Sequence, residues 1–258
     1  MNLAPYTAAV VDFDRTLLCT DKTLSAETVR VLLDWRKSGR YLFAATARPE
    51  RAITSYCARI PFDAVTTLNG ARTITKGAVF EYPLPPESAS FILDRLCRLE
   101  GMVISVEAEN GIYANTDIPL WAPVVTDHIQ ALPEKEKIYK VLASHPSVPV
   151  EKIDIPLPGD VYSSVADGKL VQYMSAEATK WHGVLKMLEA YRIPAEQVVY
   201  FGDDNDDVEP LRRCGCGVAV SNAIGAALEA ADYVTGSNDE DGVAAFLSGL
   251  LKGAEGKA

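Results

Sequence analysis

Short apolar runs without polar alternation mark the first third of the chain. The runs Ala8–Val11, Tyr41–Ala45 and 64–68 have this pattern, which is typical of parallel strands buried on both faces. Ser25 can cap a helix between the first two runs, because apolar residues recur at helical spacing after it. Pro49 suits the first position of another helix. Strands that alternate with helices predict a parallel sheet covered by helices on both faces.

The last third of the chain repeats this order of elements. Helical periodicity covers 179–191, 224–230 and 243–251, and apolar runs over 198–201 and 218–220 predict strands. The two ends of the chain therefore predict the two halves of one α/β domain with a doubly wound parallel sheet.

The middle of the chain has a different pattern. Prolines cluster at both of its ends. Between them we predict a helix over 88–99, strands over 103–107 and 112–115, and a hairpin that turns at Asp167-Gly168. This order is typical of a small α+β domain.

Together these patterns predict the domain organisation. Residues 1–83 and 173–258 form the α/β core, and residues 84–172 form an α+β domain inserted into it. In such a core, ligands bind at the carboxyl ends of the parallel strands, because loops and helix N-termini converge there.

Polar residues follow three of the predicted strands at these ends. Asp12 and Asp14 come after the first strand, Thr46 comes after the second, and Asp203 begins an acidic run after the strand over 198–201. If the strands are neighbours, at least three carboxylates face one another. Such a cluster needs positive charge, because close carboxylates repel each other. Oxygen ligands with this need indicate Mg²⁺.

Each of these features also has a simpler interpretation. Asp12 and Asp14 can be an Asx-turn and a helix cap, and Thr46 can cap a helix before Pro49. An acidic run is usually a solvated face. The run after Gly202 follows a buried strand directly, however, and a glycine lets the backbone turn tightly, which favours a metal site there.

The order of the motifs carries more information than any one of them. The chain has Asp-x-Asp-x-Thr at 12–16, then Thr46, then Lys180, then Gly-Asp-x-x-x-Asp at 202–207. This order resembles the haloacid dehalogenase superfamily of phosphatases. The insertion between the second and third motifs is similar to the α/β cap of its Cof-type branch. Asn69-Gly70-Ala71 and the segment 237–243 are also similar to segments of that branch.

The resemblance implies a Rossmann-like core, a cap domain and a set of catalytic residues. Asp12 would be the nucleophile that forms an aspartyl-phosphate. Asp14 would protonate the leaving oxygen and then deprotonate the attacking water. Lys180 would neutralise charge on both the nucleophile and the phosphate.

The resemblance also implies residues that bind substrate and metal. Mg²⁺ would be held by the Asp12 carboxylate, the Asp14 backbone carbonyl and Asp203, with support from Asp207. The substrate would meet a second set, namely Thr46, the backbone N–H of Ala47, Arg48, Asn69, Lys180 and Asp206.

Four positions depart from the usual pattern of that branch. Arg15 and Ala47 stand where the first and second motifs usually have glycine, and Trp181 rather than glycine follows Lys180. Asp206 stands where the branch usually has asparagine, so an amide donor near the phosphate is replaced by a charge. The fourth motif is therefore the one most changed.

Composition narrows the class of protein. The 258 residues carry 35 acids against 25 Lys and Arg, a net charge of −10, which disfavours a nucleic-acid partner. No apolar run approaches the length of a membrane span, and the first residues lack the regions of a signal peptide. The five scattered cysteines are typical of free thiols in a cytoplasmic protein.

We therefore expect a Mg²⁺-dependent phosphatase that acts on a small phosphorylated metabolite such as a sugar phosphate. Two alternatives stay open at this point. One is a phosphomutase of the same fold, and the other is a metabolite-binding module without catalytic activity.

Overall fold

The computed structural model describes residues 6–166 and 168–255, which divide into two compact units. The first contains the described residues up to Phe80 and from Thr179 onward, and the second contains Glu81–Ala178. The second unit thus begins slightly before residue 84 and ends slightly after residue 172. Asp167, at the tip of the predicted hairpin, lies outside the described residues, as do Met1–Pro5.

The strands and helices are numbered in chain order. The strands are β1 (Ala8–Val11), β2 (Tyr41–Ala45), β3 (Ala64–Thr67), β4 (Arg72–Ile74), β5 (Val79–Glu81), β6 (Val103–Ala108), β7 (Gly111–Ala114), β8 (Val124–Val125), β9 (Ile138–Ser144), β10 (Val161–Ala166), β11 (Leu170–Ser175), β12 (Val198–Gly202), β13 (Cys216–Val220) and β14 (Tyr233–Thr235). The α-helices are α1 (Ala26–Lys37), α2 (Thr54–Cys57), α3 (Pro86–Cys97), α4 (Lys180–Tyr191), α5 (Val208–Arg213), α6 (Gly225–Ala230) and α7 (Gly242–Glu255).

An eight-stranded sheet in the order β14-β13-β12-β1-β2-β3-β4-β5 is the centre of the first unit. The strands from β14 to β3 run parallel, and β4 runs antiparallel to β3. Alternate residues of β1 face two apolar cores. Ala9 and Val11 lie in the core that includes Trp35 of α1, and Ala8 and Val10 lie in the core that includes Val184 of α4. The sheet is therefore covered on both faces, as predicted.

Helix α1 begins where its sequence predicts. The Ser25 hydroxyl accepts a hydrogen bond from the Thr28 N–H at 2.9 Å, so one of the unpaired donors of the first turn is satisfied. The helix predicted after Pro49 is shorter than expected. A 3-10 turn over Glu50–Ala52 precedes the single turn of α2. Pro61 disfavours helical geometry at Ile60, so the helix cannot continue through it.

The second unit contains a six-stranded sheet in the order β10-β11-β9-β6-β7-β8. Most neighbours are antiparallel, and β8 runs parallel to β7. Helix α3 packs on one face through Ile92, Leu93 and Leu96. This is the predicted α+β composition. The strand β9, which joins β11 to β6, was not predicted.

Two further observations bear on the predictions from composition. Within residues 6–166 and 168–255, no helix is long and apolar enough to cross a membrane. All five cysteines are free thiols.

Candidate active site

The first unit brings the predicted strand ends to one edge of its sheet. β1 pairs with β12 on one side and with β2 on the other, all in parallel. The Asp12 N–H continues the first pairing by donating to the Phe201 carbonyl at 3.0 Å. Asp12, Asp203 and Thr46 therefore follow neighbouring strands, which meets the condition on which the expected carboxylate cluster depends.

A buried carboxylate cluster lies at this edge and consists of Asp12, Asp203 and Asp207. Oxygen atoms of the three side chains lie within 4.8 Å of one another. The Nζ of Lys180 donates to Asp12 Oδ1 at 2.8 Å and to Asp207 Oδ1 at 2.7 Å. The side chain of Lys180 is only 4% exposed. One ammonium group thus faces three carboxylates, which leaves an excess of negative charge away from solvent.

Burial and this excess of negative charge shift the pKa values of the cluster. Burial raises the pKa of Asp12 well above its usual range, and the nearby Asp207 and Asp203 oppose ionisation further, although Lys180 favours it. Burial and the charge of Asp207 also raise the pKa of Asp203 to about 7. Burial alone would lower the pKa of Lys180, but Asp12 and Asp207 outweigh it and raise that pKa.

The donor chemistry of the cluster fits a hard divalent cation. All three side chains offer oxygen, the donor that Mg²⁺ prefers, and a cation would compensate the excess charge. Asp207 differs from the other two because its oxygens already accept several hydrogen bonds. Oδ1 accepts from Lys180 and Tyr200, and Oδ2 accepts from the N–H groups of Asp203 and Asp204. Asp207 thus organises the cluster and the loop after β12.

Gly202 leaves room for this organisation. A Cβ atom at this position would lie 2.5 Å from the Asp207 Cβ, much closer than such atoms approach each other. The backbone of Gly202 does not need the left-handed conformation that favours glycine. The tight turn inferred from the sequence is therefore the wrong reason for this glycine, and close packing against Asp207 is the right one.

Helix α4 is fixed so that Lys180 enters the cluster from its first turn. The Thr179 hydroxyl caps the helix by accepting from the His182 N–H at 3.1 Å. A Cβ at Gly183 would lie 2.1 Å from the Thr66 hydroxyl oxygen of β3. A Cβ at Gly70 would lie 1.9 Å from the Thr179 carbonyl oxygen. Both glycines therefore let neighbouring segments pack closely against α4 and its cap.

Asp14 is not a member of the buried cluster, and its side chain is 37% exposed. The Arg48 guanidinium donates through Nε to Oδ2 at 2.5 Å and through Nη2 to Oδ1 at 2.7 Å. The Lys22 Nζ donates to Oδ1 at 2.7 Å. Partial burial would raise the pKa of Asp14, but the hydrogen bonds from Arg48 and Lys22 outweigh burial and lower it.

The remaining predicted substrate residues lie beside one another. Thr46 is buried, and its hydroxyl accepts from the Arg48 N–H at 3.2 Å. The Thr46 carbonyl accepts from the Asn69 N–H at 3.1 Å, and the Asn69 side-chain amide donates to Asp206. Ala47 follows Thr46 at the end of β2 and is half-buried. Asn69 has a left-handed φ of 57°, which asparagine tolerates better than most residues.

With this geometry in view, the chain can be compared with known proteins. A family model described as haloacid dehalogenase-like hydrolase matches residues 9–247. The chain belongs to this family. It is similar to the 5-amino-6-(5-phospho-D-ribitylamino)uracil phosphatase YitU of Bacillus subtilis, with 26% identity over 268 residues that cover 96% of this chain and 98% of the relative.

Solved structures share the fold over nearly the whole chain. The sugar phosphatase BT4131 of HAD subclass IIB matches with a TM-score of 0.82 and 22% identity, covering 94% of this chain and 99% of that one. The phosphatase BT1666 from Bacteroides thetaiotaomicron matches with a TM-score of 0.81 and 23% identity, covering 94% of both chains. The predicted superfamily, the α/β fold with an inserted cap, and the enzyme class of phosphoric monoester hydrolase are confirmed.

Two of the departures in this haloacid dehalogenase-like hydrolase have structural consequences. Arg15 adopts a left-handed backbone with φ 57° and ψ 6°, which glycine would adopt without strain. Its Nε lies 3.6 Å from Asp203 Oδ2. Asp206 accepts the amide of Asn69, so the residue that replaces asparagine is paired with an asparagine from another loop.

Three residues of this edge were missed by the sequence interpretation. The Thr16 hydroxyl donates to Asp203 Oδ1 at 2.8 Å, and the buried Tyr200 hydroxyl donates to Asp207 Oδ1 at 2.6 Å. Lys22 pairs with Asp14. Thr16 ends the first motif, and Tyr200 places a polar group inside an apolar strand, so the sequence contained a feature that could have indicated a role at the site for each of them. Lys22 gave none.

Proposed function

We propose that this hydrolase is a Mg²⁺-dependent phosphatase that cleaves a small phosphorylated metabolite, such as a sugar phosphate, through an aspartyl-phosphate at Asp12. The observation that carries the proposal is the contact of Asp12 with Lys180 inside a buried carboxylate cluster at the sheet edge. A relative that cleaves a phosphoribitylamino compound and a fold neighbour named as a sugar phosphatase support the substrate class.

In the first step, an Asp12 oxygen attacks the phosphorus atom of the substrate. The bond between Asp12 and phosphorus forms while the bond from phosphorus to the leaving oxygen breaks. Lys180 holds Asp12 in place and keeps positive charge beside the incoming phosphate. Arg48 and Lys22 keep the pKa of Asp14 low, so Asp14 takes up a proton only when the substrate phosphate has drawn these cations away from it. Protonated Asp14 then gives its proton to the leaving oxygen, and the alcohol departs neutral.

In the second step, water attacks the phosphorus atom and breaks its bond to Asp12. Asp14 now accepts the proton of that water and becomes a carboxylic acid again, while Asp12 is restored as a carboxylate and inorganic phosphate is released. Thr46 and the Ala47 N–H hold phosphoryl oxygens, and Asn69 and Asp206 form the adjoining wall. Arg48 and Lys22 place two cations beside Asp14, where the anionic substrate would arrive.

Mg²⁺ would be held by the Asp12 carboxylate, the Asp14 backbone carbonyl and Asp203, with Asp207 organising these groups through its hydrogen bonds. The bound ion would supply positive charge that screens the phosphate from the carboxylates. The cytoplasm stays the proposed location, and the free thiols of all five cysteines fit a reducing compartment.

The test is a screen of phosphorylated metabolites and an aryl phosphate for phosphate release with Mg²⁺, using the natural chain and the Asp12→Asn variant. We expect Asp12→Asn to remain folded and to lose several orders of magnitude in turnover, because the nucleophile is gone. The exposed Asp127→Asn serves as a matched control and should keep full activity.

The outcomes distinguish the proposal from its rivals. Turnover of the aryl phosphate by Asp12→Asn at the natural rate would overturn the role of Asp12. Activity that requires a bisphosphate activator would indicate a phosphomutase instead. Binding of metabolites without any turnover would indicate a metabolite-binding module.

A further inference from the structure

Arg15 occupies a strained position in the loop that follows β1. It stands between Asp14 and Thr16, and its φ of 57° lies in the left-handed region that disfavours residues with a Cβ atom. The contacts of the Arg15 side chain indicate its role.

The Arg15 residue is held by a reciprocal pair of hydrogen bonds with Asn222. The guanidinium Nη2 donates to the Asn222 carbonyl at 2.9 Å, and the Asn222 side-chain amide donates to the Arg15 carbonyl at 2.8 Å. The Asn222 side-chain oxygen in turn accepts from the Asn238 N–H at 2.9 Å. The guanidinium is thus anchored at one end, although the side chain is 45% exposed.

The other side of the guanidinium faces Asp203. Arg15 Nε lies 3.6 Å from Asp203 Oδ2, while Asp203 Oδ1 accepts from the Thr16 hydroxyl. Arg15 and Thr16 are neighbours in the chain, so one loop supplies a cation to one oxygen of this buried carboxylate and a hydroxyl donor to the other. Asp203 is also one of the carboxylates to which the proposed function assigns Mg²⁺.

We propose that Arg15 is a positioning residue that competes with the divalent cation for Asp203 and thereby weakens Mg²⁺ binding. In the protein without metal, Arg15 partly neutralises Asp203. When the metal binds, the guanidinium repels it. This inference rests on the proposed metal site, and it assigns to Arg15 the control of the affinity of that site.

The expected effect of Arg15 on the Mg²⁺ affinity follows from Coulomb's law. A doubly charged ion on Asp203 and a guanidinium a few ångströms away repel each other even in a water-like dielectric by an energy that corresponds to about a tenfold change in affinity. Because Arg15 is partly exposed, salt should screen this repulsion. A purely structural role for Arg15 would show no such dependence on salt.

The test measures Mg²⁺ affinity by titration calorimetry, and by the rise of the thermal midpoint with MgCl₂, in the complete chain. The variants are Arg15→Gln, which removes the charge and keeps the strain, Arg15→Gly, which removes both, and Arg15→Lys, which keeps the charge. Arg30→Gln removes an exposed arginine whose partners lie in α1, and it is the control for net charge.

We expect Arg15→Gln and Arg15→Gly to bind Mg²⁺ about tenfold more tightly than the natural chain at low salt, with a smaller difference at high salt. Arg15→Lys and Arg30→Gln should bind as the natural chain does. Equal affinity of Arg15→Gln and the natural chain would overturn the proposal. Tighter binding by Arg15→Gly alone would also overturn it, because strain would then be the cause.

Failure of the underlying metal site has a different signature. If neither the natural chain nor any variant binds Mg²⁺, the metal assignment is wrong and the role of Arg15 falls with it. If the natural chain binds Mg²⁺ but loss of the Arg15 charge changes nothing, only the inference about Arg15 is wrong.

Discussion

Replacement of Gly183 by alanine tests whether α4 must lie against β3 to position Lys180. A Cβ atom at this position would come within 2.1 Å of the Thr66 Oγ1, 2.8 Å of the Thr66 Cβ and 2.9 Å of the Thr66 Cγ2. Thr66 is fully buried, and its hydroxyl lies 2.7 Å from the Thr73 hydroxyl. Rotation of the Thr66 side chain cannot remove all three overlaps, so the helix and the sheet must separate.

The expected change in the free energy of unfolding combines three effects, one stabilising and two destabilising. Alanine in place of glycine inside a helix stabilises it by about 1 kcal/mol. Overpacking of a well-packed core costs about 1–3 kcal/mol. Displacement of Thr66 also breaks its hydrogen bond to Thr73, which contributes about 1 kcal/mol. We therefore expect Gly183→Ala to lower the free energy of unfolding by about 1–3 kcal/mol.

The assay is urea unfolding of Gly183→Ala beside a matched control, Gly249→Ala. Gly249 lies inside α7, and a Cβ atom there would meet nothing within 4 Å. The control should raise the free energy of unfolding by roughly 0.5–1 kcal/mol, because alanine favours the helix. Phosphate release should fall in Gly183→Ala alone, since a shift of α4 moves Lys180 away from Asp12. If both variants gain stability, the close packing of α4 on β3 is refuted.

Two more predictions concern the carboxylate cluster. Tyr200→Phe removes the buried hydroxyl that donates to Asp207. Because a hydrogen bond to a charged group contributes about 1.5–3 kcal/mol, the free energy of unfolding should fall by about that amount. The control is Tyr233→Phe at an exposed position, and an equal unfolding curve for the two variants would contradict the prediction. The pKa of Asp203 is raised to about 7 in the protein without metal, so the native state binds a proton there that the unfolded chain loses at lower pH. This contribution to stability is present at acidic pH and is lost as the pH rises through about 7. Because Mg²⁺ must displace that proton, the thermal stabilisation by MgCl₂ should increase from pH 5.5 to pH 8, and a stabilisation independent of pH would contradict the assignment.

Continuous apolar runs made the central strands of the first unit predictable. β1 and β2 lie where their sequences indicated, because strands buried on both faces need apolar residues at every position. β9 was missed for a related reason. Its third residue is Lys140, a charged residue that is buried in the sheet, and this charge interrupts the apolar pattern. β14 has three residues at the edge of its sheet, too few to give a periodic signal.

The candidate site was predictable where it depends on topology alone. Parallel strands bring their carboxyl ends to one edge, so Asp12 and Asp203 could be placed at the same edge from the sequence. That they lie on neighbouring strands follows from the pairing of β1 with β12, which the sequence left as a condition. The partners of each carboxylate depend on side chains that reach across loops, and the sequence pattern does not encode those directions. Arg48 was expected beside the substrate, but its pairing with Asp14 was not predicted. Lys22 joins that pair from a loop without any motif.

These pairings explain how a chain with a net charge of −10 can present a site for an anion. Lys180 lies against Asp12 and Asp207, Arg48 and Lys22 lie against Asp14, and Arg15 lies beside Asp203. Asp14 thus has two cations beside it and Asp203 has one, whereas Asp12 and Asp207 share Lys180.

A metal ion is attracted by the buried carboxylates and repelled by the cations beside them, whereas a phosphate is attracted by these cations and repelled by the carboxylates. A Mg²⁺ ion and a doubly charged phosphate arriving together bring no net charge, so each relieves the repulsion felt by the other. Each of the two therefore favours the binding of the other. The excess of acids elsewhere on the chain has little effect on this coupling, because surface charges beyond about 8 Å are largely screened at physiological salt.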